Sequence, residues 1–141
     1  MTQAYQGSCL CGTIRFEADC FEEQVGHCHC TMCRKFHGAA FSTLGEVKQE
    51  NFRWTAGKQF LKQYIADNQT IRQFCSECGS SLTFASPGHA SAPVEISLAC
   101  FDDPVPVTPN AHIFVANAAN WCVRNDNLPE YEGWRDSKRI K

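Results

Sequence analysis

Seven of the ten cysteines in this chain occur in three tight groups, and such groups suit metal binding or thiol chemistry. The groups are CLCG, CHCTMC and CSECG, and their cysteines are Cys9, Cys11, Cys28, Cys30, Cys33, Cys75 and Cys78. Thiols separated by one or two residues are poorly placed to form a disulfide with each other but well placed to share one ion. The residue types and spacings match known zinc sites closely, so the sequence predicts bound zinc.

The composition of the 141-residue chain gives no indication of a membrane or nucleic-acid partner. Its net charge of −2 and pI of about 6.2 favour neither nucleic acid nor an anionic lipid surface. The N-terminal segment MTQAYQGSCL has no apolar run of the length that a signal peptide needs, and no stretch approaches the ~18 apolar residues of a membrane helix. We therefore expect a cytoplasmic protein, and disulfides rarely persist in that reducing compartment.

A count of ligands divides the clustered cysteines into two zinc sites. Zinc takes four protein ligands at a structural site, and three ligands plus an open position at a catalytic site. The outer pairs, Cys9/Cys11 and Cys75/Cys78, are each incomplete and together supply four ligands. The middle group supplies three thiolates without a distant partner. The simplest prediction is one four-cysteine site and one three-cysteine site with an open position.

The fourth position of the three-cysteine site decides between an enzyme and a structural module. His27, His29 and His37 all lie near enough in sequence to fill it. A histidine beside metal ligands is often a packing or hydrogen-bonding residue instead of a ligand, which favours an open position. Two nearby cations, Arg34 and Lys35, are candidates to bind substrate carboxylates, although a solvated helix face explains them slightly better.

Strands are the elements expected to position these cysteines. The segment TIRFEA places Ile14, Phe16 and Ala18 on one face, and VEISLA and HIFVA repeat this period-two pattern, the latter through Val115. Five further segments are strand candidates: AAFSTL, FRWT, FLKQYIA, TIRQF and SLTFA. Glycines separate them, as the turns of an all-β domain require. Because no repeat or low-complexity linker interrupts the chain, we expect residues 1–141 to form one mainly β domain.

One short helix is predicted directly after the three-cysteine motif. It runs from Thr31 to about His37, with Thr31 as its N-cap and Gly38 as the residue that ends it. A helix of one or two turns is marginal by itself, so we expect a metal bound at its start to hold it in place.

The remaining cysteines and the C-terminal residues have simpler interpretations. Cys20, Cys100 and Cys122 stand alone and are expected to behave as small buried hydrophobic residues. The C-terminal RDSKRIK, residues 135–141, carries four basic residues against one Asp, and we interpret it as a solvated basic tail.

Taken in order, the cysteine motifs resemble the family of glutathione-dependent formaldehyde-activating enzymes, which also includes centromere protein V. The segments that carry the resemblance are GSCLCGTIRFEA, CHCTMCRKFHGAAF, FCSECGSSLTF, HIFVANAANW and LPEYEGW, from about Gly7 to Trp134. The resemblance implies an all-β zinc fold of tent-like antiparallel sheets. Carried over motif by motif, it implies a structural zinc at Cys9, Cys11, Cys75 and Cys78, and an active-site zinc at Cys28, Cys30 and Cys33. Leu10 stands where the family often has histidine, but that residue is not a ligand.

The same resemblance implies an activity, the addition of glutathione to formaldehyde to give S-hydroxymethylglutathione. The expected protein is a zinc-dependent carbon–sulfur lyase or synthase whose partners are a small thiol and an aldehyde. A zinc held by three cysteines suits this chemistry, because the thiol sulfur can become the fourth ligand with a lowered pKa. The alternative is a non-enzymatic, zinc-stabilised binding module whose second site is closed by a histidine. A redox sensor built on CTMC is the weakest alternative, because thiolates committed to zinc are poor disulfide formers.

Overall fold

The computed structural model describes residues 3–87 and 91–141, and within them the fold is mainly β, as the sequence predicts. These residues form ten strands, one α-helix and four short 3-10 helices. The strands are β1 (Tyr5–Ser8), β2 (Arg15–Ala18), β3 (Gly26–Cys28), β4 (Ser42–Val47), β5 (Phe52–Ala56), β6 (Leu61–Ile65), β7 (Ile71–Cys75), β8 (Ser81–Ala85), β9 (Val94–Ser97) and β10 (Ala111–Ile113), and the helix is α1 (Thr31–His37). None of the described helices is long and apolar enough to cross a membrane.

The chain divides into two compact units. The first combines the residues up to Glu23 with Gly45–Val107, and the second combines Gln24–Leu44 with Thr108–Lys141. Strand β4 begins in the second unit and ends in the first. That residues 1–141 act as one domain stays a prediction.

Antiparallel pairing builds the first unit. Three strands form a sheet in the order β1-β2-β5, and four others pair in the order β9-β8-β7-β6. The alternation in TIRFEA has the expected effect, because Ile14, Phe16 and Ala18 are all fully buried. Phe16 packs edge-on against Phe101 and Trp54, with ring centroids 5.1 and 6.0 Å away. This core supports the turns that carry the outer cysteine pairs.

In the second unit, β3 lies between β10 and the first half of β4. Strand β10 runs parallel to β3 with His112 opposite His27, and β4 runs antiparallel to β3 with Thr43 opposite the same histidine. These three residues therefore stand in a row on adjacent strands. Two residues separate the end of β3 from the start of α1, so the strand lies just before the helix.

Two strands were not predicted from the sequence, and several strand ends differ from the expectation; β4, for example, spans Ser42–Val47, whereas the predicted AAFSTL spans residues 39–44. Strands β1 and β3 are not among the predicted segments, because YQGS and GHC have no apolar alternation to mark them. The strand expected to continue through Val115 ends at Ile113. Phe114 adopts a left-handed backbone with φ of 56°, and a 3-10 helix follows it.

The basic C-terminal residues are less free than a solvated tail would be. The backbone N–H of Glu130 donates to the carbonyl of Lys141, and that of Glu132 donates to the carbonyl of Lys138. Arg135 also donates to Asn110 Oδ1 at 2.6 Å. The side chains of residues 138–141 are therefore exposed, but their backbone is hydrogen-bonded to other residues of the second unit.

Candidate functional site

The turns after β1 and β7 bring the four outer cysteines together. Their sulfur atoms lie within 4.8 Å of one another. The Cys11 Sγ is 3.6 Å from that of Cys9 and 3.9 Å from that of Cys75. Gly12 and Gly79 follow the two pairs with φ of 79° and 80°, left-handed conformations that glycine adopts without strain. This group, which Cys78 completes, has the donor set of a four-cysteine zinc site.

Neighbouring groups form hydrogen bonds with these four sulfurs. The backbone N–H of Ile14 donates to Cys9 Sγ at 3.3 Å, and that of Glu77 donates to Cys75 Sγ at 3.4 Å. The hydroxyls of Thr13 and Ser80 lie 3.2 Å from Cys11 Sγ and 3.3 Å from Cys78 Sγ, respectively. Backbone donors of this kind stabilise thiolate over thiol.

Cys11, Cys75 and Cys78 differ in how readily they ionise. The hydrogen bond with the Thr13 side chain lowers the pKa of Cys11. Burial opposes ionisation of Cys78, but hydrogen bonds with the hydroxyl and backbone of Ser80 prevail and lower its pKa to about 6. Burial raises the pKa of Cys75 to about 11. A cation is therefore needed to hold all four sulfurs as thiolates at neutral pH.

The end of β3 and the start of α1 bring the other three cysteines together. The sulfurs of Cys28, Cys30 and Cys33 lie within 4.8 Å of one another. The N-cap of α1 is Cys30, not Thr31 as predicted, because the Cys30 sulfur accepts the backbone N–H of Cys33 at 3.3 Å. Gly38 ends the helix as expected, with φ of 59°. Cys33 is buried, whereas the first two cysteines of the group are partly exposed.

Cys28 and Cys30 resist ionisation because the thiols of this group face one another. Hydrogen bonds with Cys30 and Cys33, together with burial, raise the pKa of Cys28 above its ordinary value. The hydrogen bond with Cys28 lowers the pKa of Cys30, but the hydrogen bond with Cys33 and burial prevail and raise it. A divalent cation reverses this balance, since a coordinated thiol loses its proton. The group therefore fits three ligands of a zinc ion.

Two of the three histidines considered as a fourth ligand are engaged elsewhere. The Nδ1 of His27 lies 2.7 Å from Thr43 Oγ1, and the Nε2 of His29 lies 2.8 Å from His112 Nδ1. Strand alternation directs both histidines away from the side of β3 that carries Cys28. The ligand atoms that lie within 4.8 Å of one another at this site belong to the three cysteines alone, and no described histidine joins them, which favours an open fourth position.

A hydrogen-bonded chain of side chains extends from His29 through His112 to Asp126. The Nε2 of His112 lies 2.7 Å from Asp126 Oδ2. Both histidines are buried, and the Nδ1 of His29 has no hydrogen-bond partner among the described residues. Burial, followed by repulsion from His112, lowers the pKa of His29 to about 4, so its ring is neutral at pH 7. A role for His112 and Asp126 was not predicted from the sequence. The only local signal was that His27 and His29 occupy alternate positions, on either side of Cys28.

The other predicted residues have varied surroundings. The Arg34 guanidinium donates to the backbone carbonyl of Asn117 at 2.9 Å, whereas Lys35 is exposed. Cys20 is exposed, so the expectation that it is buried is wrong; its left-handed backbone, with φ of 53°, places it in a turn. Cys100 and Cys122 are partly buried.

Comparison with known proteins points to one family. The family model of the glutathione-dependent formaldehyde-activating enzymes matches residues 4–117, which include all seven clustered cysteines. A protein of Halomonas elongata named for the same activity is 25% identical over 123 residues, or 82% of this chain and 78% of the relative. An uncharacterised lyase of Schizosaccharomyces pombe is 28% identical over 81 residues. That match covers 57% of each protein, so the chain spans little more than half of this relative's length.

The fold also has a relative among solved structures. A crystal structure of a Rhodobacter sphaeroides protein superposes with a TM-score of 0.60 at 19% identity, covering 72% of this chain and 91% of the other. At that identity the likeness concerns the fold alone. Together with the match over residues 4–117, these findings show that the chain belongs to the glutathione-dependent formaldehyde-activating enzyme family.

Proposed function

We propose that the protein is a zinc-dependent carbon–sulfur lyase or synthase acting on small thiol–aldehyde adducts, with glutathione and formaldehyde as its first candidate substrates. The observation that carries the proposal is the convergence of three cysteine sulfurs, two of them partly exposed, at the start of α1. Family membership and the names of the two relatives support the same reaction class.

Each residue of the three-cysteine group has a distinct part in this proposal. Cys33 anchors the group from its buried position, and Cys28 and Cys30 hold the exposed side. A zinc ion bound there would lower the pKa of an incoming thiol and favour its thiolate, the nucleophile that attacks an aldehyde carbon. No described histidine lies within 4.8 Å of all three sulfurs, which leaves room for the substrate sulfur.

The four-cysteine group has a structural part in the proposal. It joins the turn after β1 to the turn after β7, and the backbone N–H of Leu10 also donates to Ser80 Oγ at 2.8 Å across the same pair of turns. Zinc held by four protein ligands has no open position for substrate. We expect the protein to act in the cytoplasm, where reducing conditions keep both cysteine groups available for metal.

The direct test is exchange spectroscopy by NMR on glutathione mixed with formaldehyde. The zinc-bound protein should accelerate exchange between free glutathione and its hydroxymethyl adduct above the spontaneous rate. Cys30→Ser should abolish the gain, since serine retains the ability to cap α1 but removes one thiolate. Cys20→Ser is the matched control, because it changes an exposed cysteine outside both groups.

A second measurement separates recognition by the metal from recognition of the peptide. S-methylglutathione has the same carboxylates as glutathione but no ionisable thiol, so calorimetry should show much weaker binding. Equal affinities would mean that the sulfur is not a ligand. If the protein with both cysteine groups occupied does not accelerate exchange, formaldehyde is not its substrate, and a non-enzymatic binding module becomes the better explanation.

A further inference from the structure

His27 on β3, His112 on β10 and Asp126 in the segment after β10 together have the composition of a metal site that contains no sulfur. One ligand atom each from His27, His112 and Asp126 lies within 4.8 Å of the others. Two imidazoles and one carboxylate form a donor set that binds divalent first-row transition metals and leaves further positions open. The group is separate in composition from both cysteine groups, although His27 precedes Cys28.

The backbone fixes the two histidines in the position that such a site requires. His27 and His112 are register partners on adjacent parallel strands, so their side chains lie on the same face of the sheet. Their ring centroids are 4.8 Å apart. The Phe41 ring packs against both, at 4.4 Å from the His27 ring and 5.9 Å from the His112 ring. The site is therefore preorganised by strand pairing and aromatic packing.

Each histidine also has the outer hydrogen bond that metal-binding histidines usually have. The Nδ1 of His27 is paired with Thr43 Oγ1 at 2.7 Å, which leaves its Nε2 for a metal. The Nδ1 of His112 is paired with His29 Nε2 at 2.8 Å, which leaves its Nε2 facing Asp126. These contacts hold the rings in one orientation and determine which nitrogen is the ligand.

Asp126 gives the site a negative charge and access to solvent. Its side chain is 43% exposed, whereas that of His112 is 2% exposed. The other carboxylate oxygen, Oδ1, accepts the backbone N–H of Leu128 at 3.1 Å. Arg124, on the same segment, is paired with Glu130 at 3.1 Å, so its charge is compensated.

We propose that His27, His112 and Asp126 form a binding site for one divalent first-row transition-metal ion, independent of the two cysteine groups. The ion takes the place of the proton between His112 Nε2 and Asp126 Oδ2. That proton moves to Nδ1 of His112, which then donates to His29 Nε2, while the proton of His29 moves to its own Nδ1.

The ion requires only a small adjustment of the contact between His112 and Asp126. Two ligand atoms about 2.1 Å from a tetrahedral ion are about 3.4 Å apart. His112 Nε2 and Asp126 Oδ2 are 2.7 Å apart in the structure, so they must separate by about 0.7 Å. The partly exposed Asp126 side chain provides this movement more readily than the buried histidine.

Cobalt(II) titration of the zinc-bound protein tests the proposal. Cobalt at His27, His112 and Asp126 should give visible d–d bands without the near-ultraviolet sulfur-to-cobalt charge-transfer band that binding at a cysteine group produces. One such cobalt should remain per chain after desalting. Asp126→Asn and His27→Gln should each weaken this cobalt binding by about tenfold or more. Asp136→Asn, at an exposed carboxylate of the same unit, should not change it.

The possible outcomes are distinct from those of the exchange assay, because this readout needs neither thiol nor aldehyde. If cobalt produces only the charge-transfer band of the cysteine groups, or no band, the proposal is wrong. It is equally wrong if the sulfur-free band is unchanged in either variant, with its fold checked by circular dichroism. Asp126 and the histidines would then form a hydrogen-bonded chain only.

Discussion

Single sulfur atoms in the two cysteine groups differ in what surrounds them. Those of Cys9 and Cys75 accept backbone N–H groups, and those of Cys11 and Cys78 lie beside hydroxyls. In the three-cysteine group, Cys28 has mainly the other two thiols as hydrogen-bond partners, and these raise its pKa. A bound cation would therefore have to offset this mutual effect for Cys28 to become a thiolate.

The solitary cysteines should differ in reactivity. Burial, and then the charges of neighbouring groups, raise the pKa of Cys100 to about 11, and its thiol donates to the carbonyl of Ser81 at 3.3 Å. At pH 8 only about one in a thousand Cys100 thiols is then ionised, while Cys20 is exposed. Brief treatment of the zinc-bound protein with iodoacetamide should therefore modify Cys20 well before Cys100, as followed by peptide mass spectrometry. Equal rates would show that Cys100 is not protected.

Turns and short strands position the cysteine motifs so that their sulfur atoms come together. Strand β3 carries the first cysteine of the three-cysteine group, and α1 carries the last. The turn between β5 and β6 contains Gly57, whose φ is 72°. A Cβ added there would lie 2.0 Å from the carbonyl oxygen of Thr13, beside the first cysteine pair. Close packing of this turn on the 9–14 turn therefore requires glycine.

Gly57→Ala should destabilise the fold more than an equivalent change at another left-handed glycine. Gly38→Ala is the matched control, because Gly38 has φ of 59° but no atom within 4 Å of the added Cβ. The control should cost about 1–2 kcal/mol for backbone strain, and Gly57→Ala should cost a further 1–3 kcal/mol, about the cost of overpacking. Urea denaturation of both zinc-bound variants measures the difference. Equal losses would mean that contact with Thr13 does not matter.

At this scale the sequence predicts much of what the structure shows. The alternation of Ile14, Phe16 and Ala18 predicts β2, because one face of that strand is buried. Gly38 predicts the end of α1, because glycine readily adopts the left-handed conformation in which helices often end. Strand β3 has no apolar alternation, so its pairing with β10 could not be foreseen. The surroundings of His112 and Asp126 depend on that pairing, because it brings together residues that are far apart in sequence. His29 and His112, for example, are 83 positions apart. Local spacing therefore predicts ligands that lie close in sequence, whereas long-range pairing determines their hydrogen-bonded surroundings.

For the molecule as a whole, the two cysteine groups should differ in their contribution to stability. A structural zinc site contributes about 10–16 kcal/mol, whereas a domain's net stability is about 5–15 kcal/mol. The four-cysteine group joins two distant turns of the first unit, so its loss removes a link between them. The three-cysteine group lies within one local segment and has no such link to lose.

Cys78→Ser should therefore give an insoluble or molten protein, whereas Cys33→Ser should keep most of its strand structure and lose one zinc. Circular dichroism, thermal melts and elemental analysis of both variants test this difference. The two changes are matched in chemistry, since each replaces one thiol by a hydroxyl. Equal tolerance of both would show that the structural and substrate-binding parts have been assigned to the wrong groups.

The most direct test of the central claim is a crystal structure of the zinc-bound protein with glutathione, recorded with anomalous scattering at the zinc edge. We predict an anomalous peak at each cysteine group. The peak among Cys28, Cys30 and Cys33 should have the glutathione sulfur as its fourth ligand, at about 2.3 Å. No zinc at this group, or a zinc whose fourth ligand is a protein side chain even in the presence of glutathione, would contradict the proposed activity.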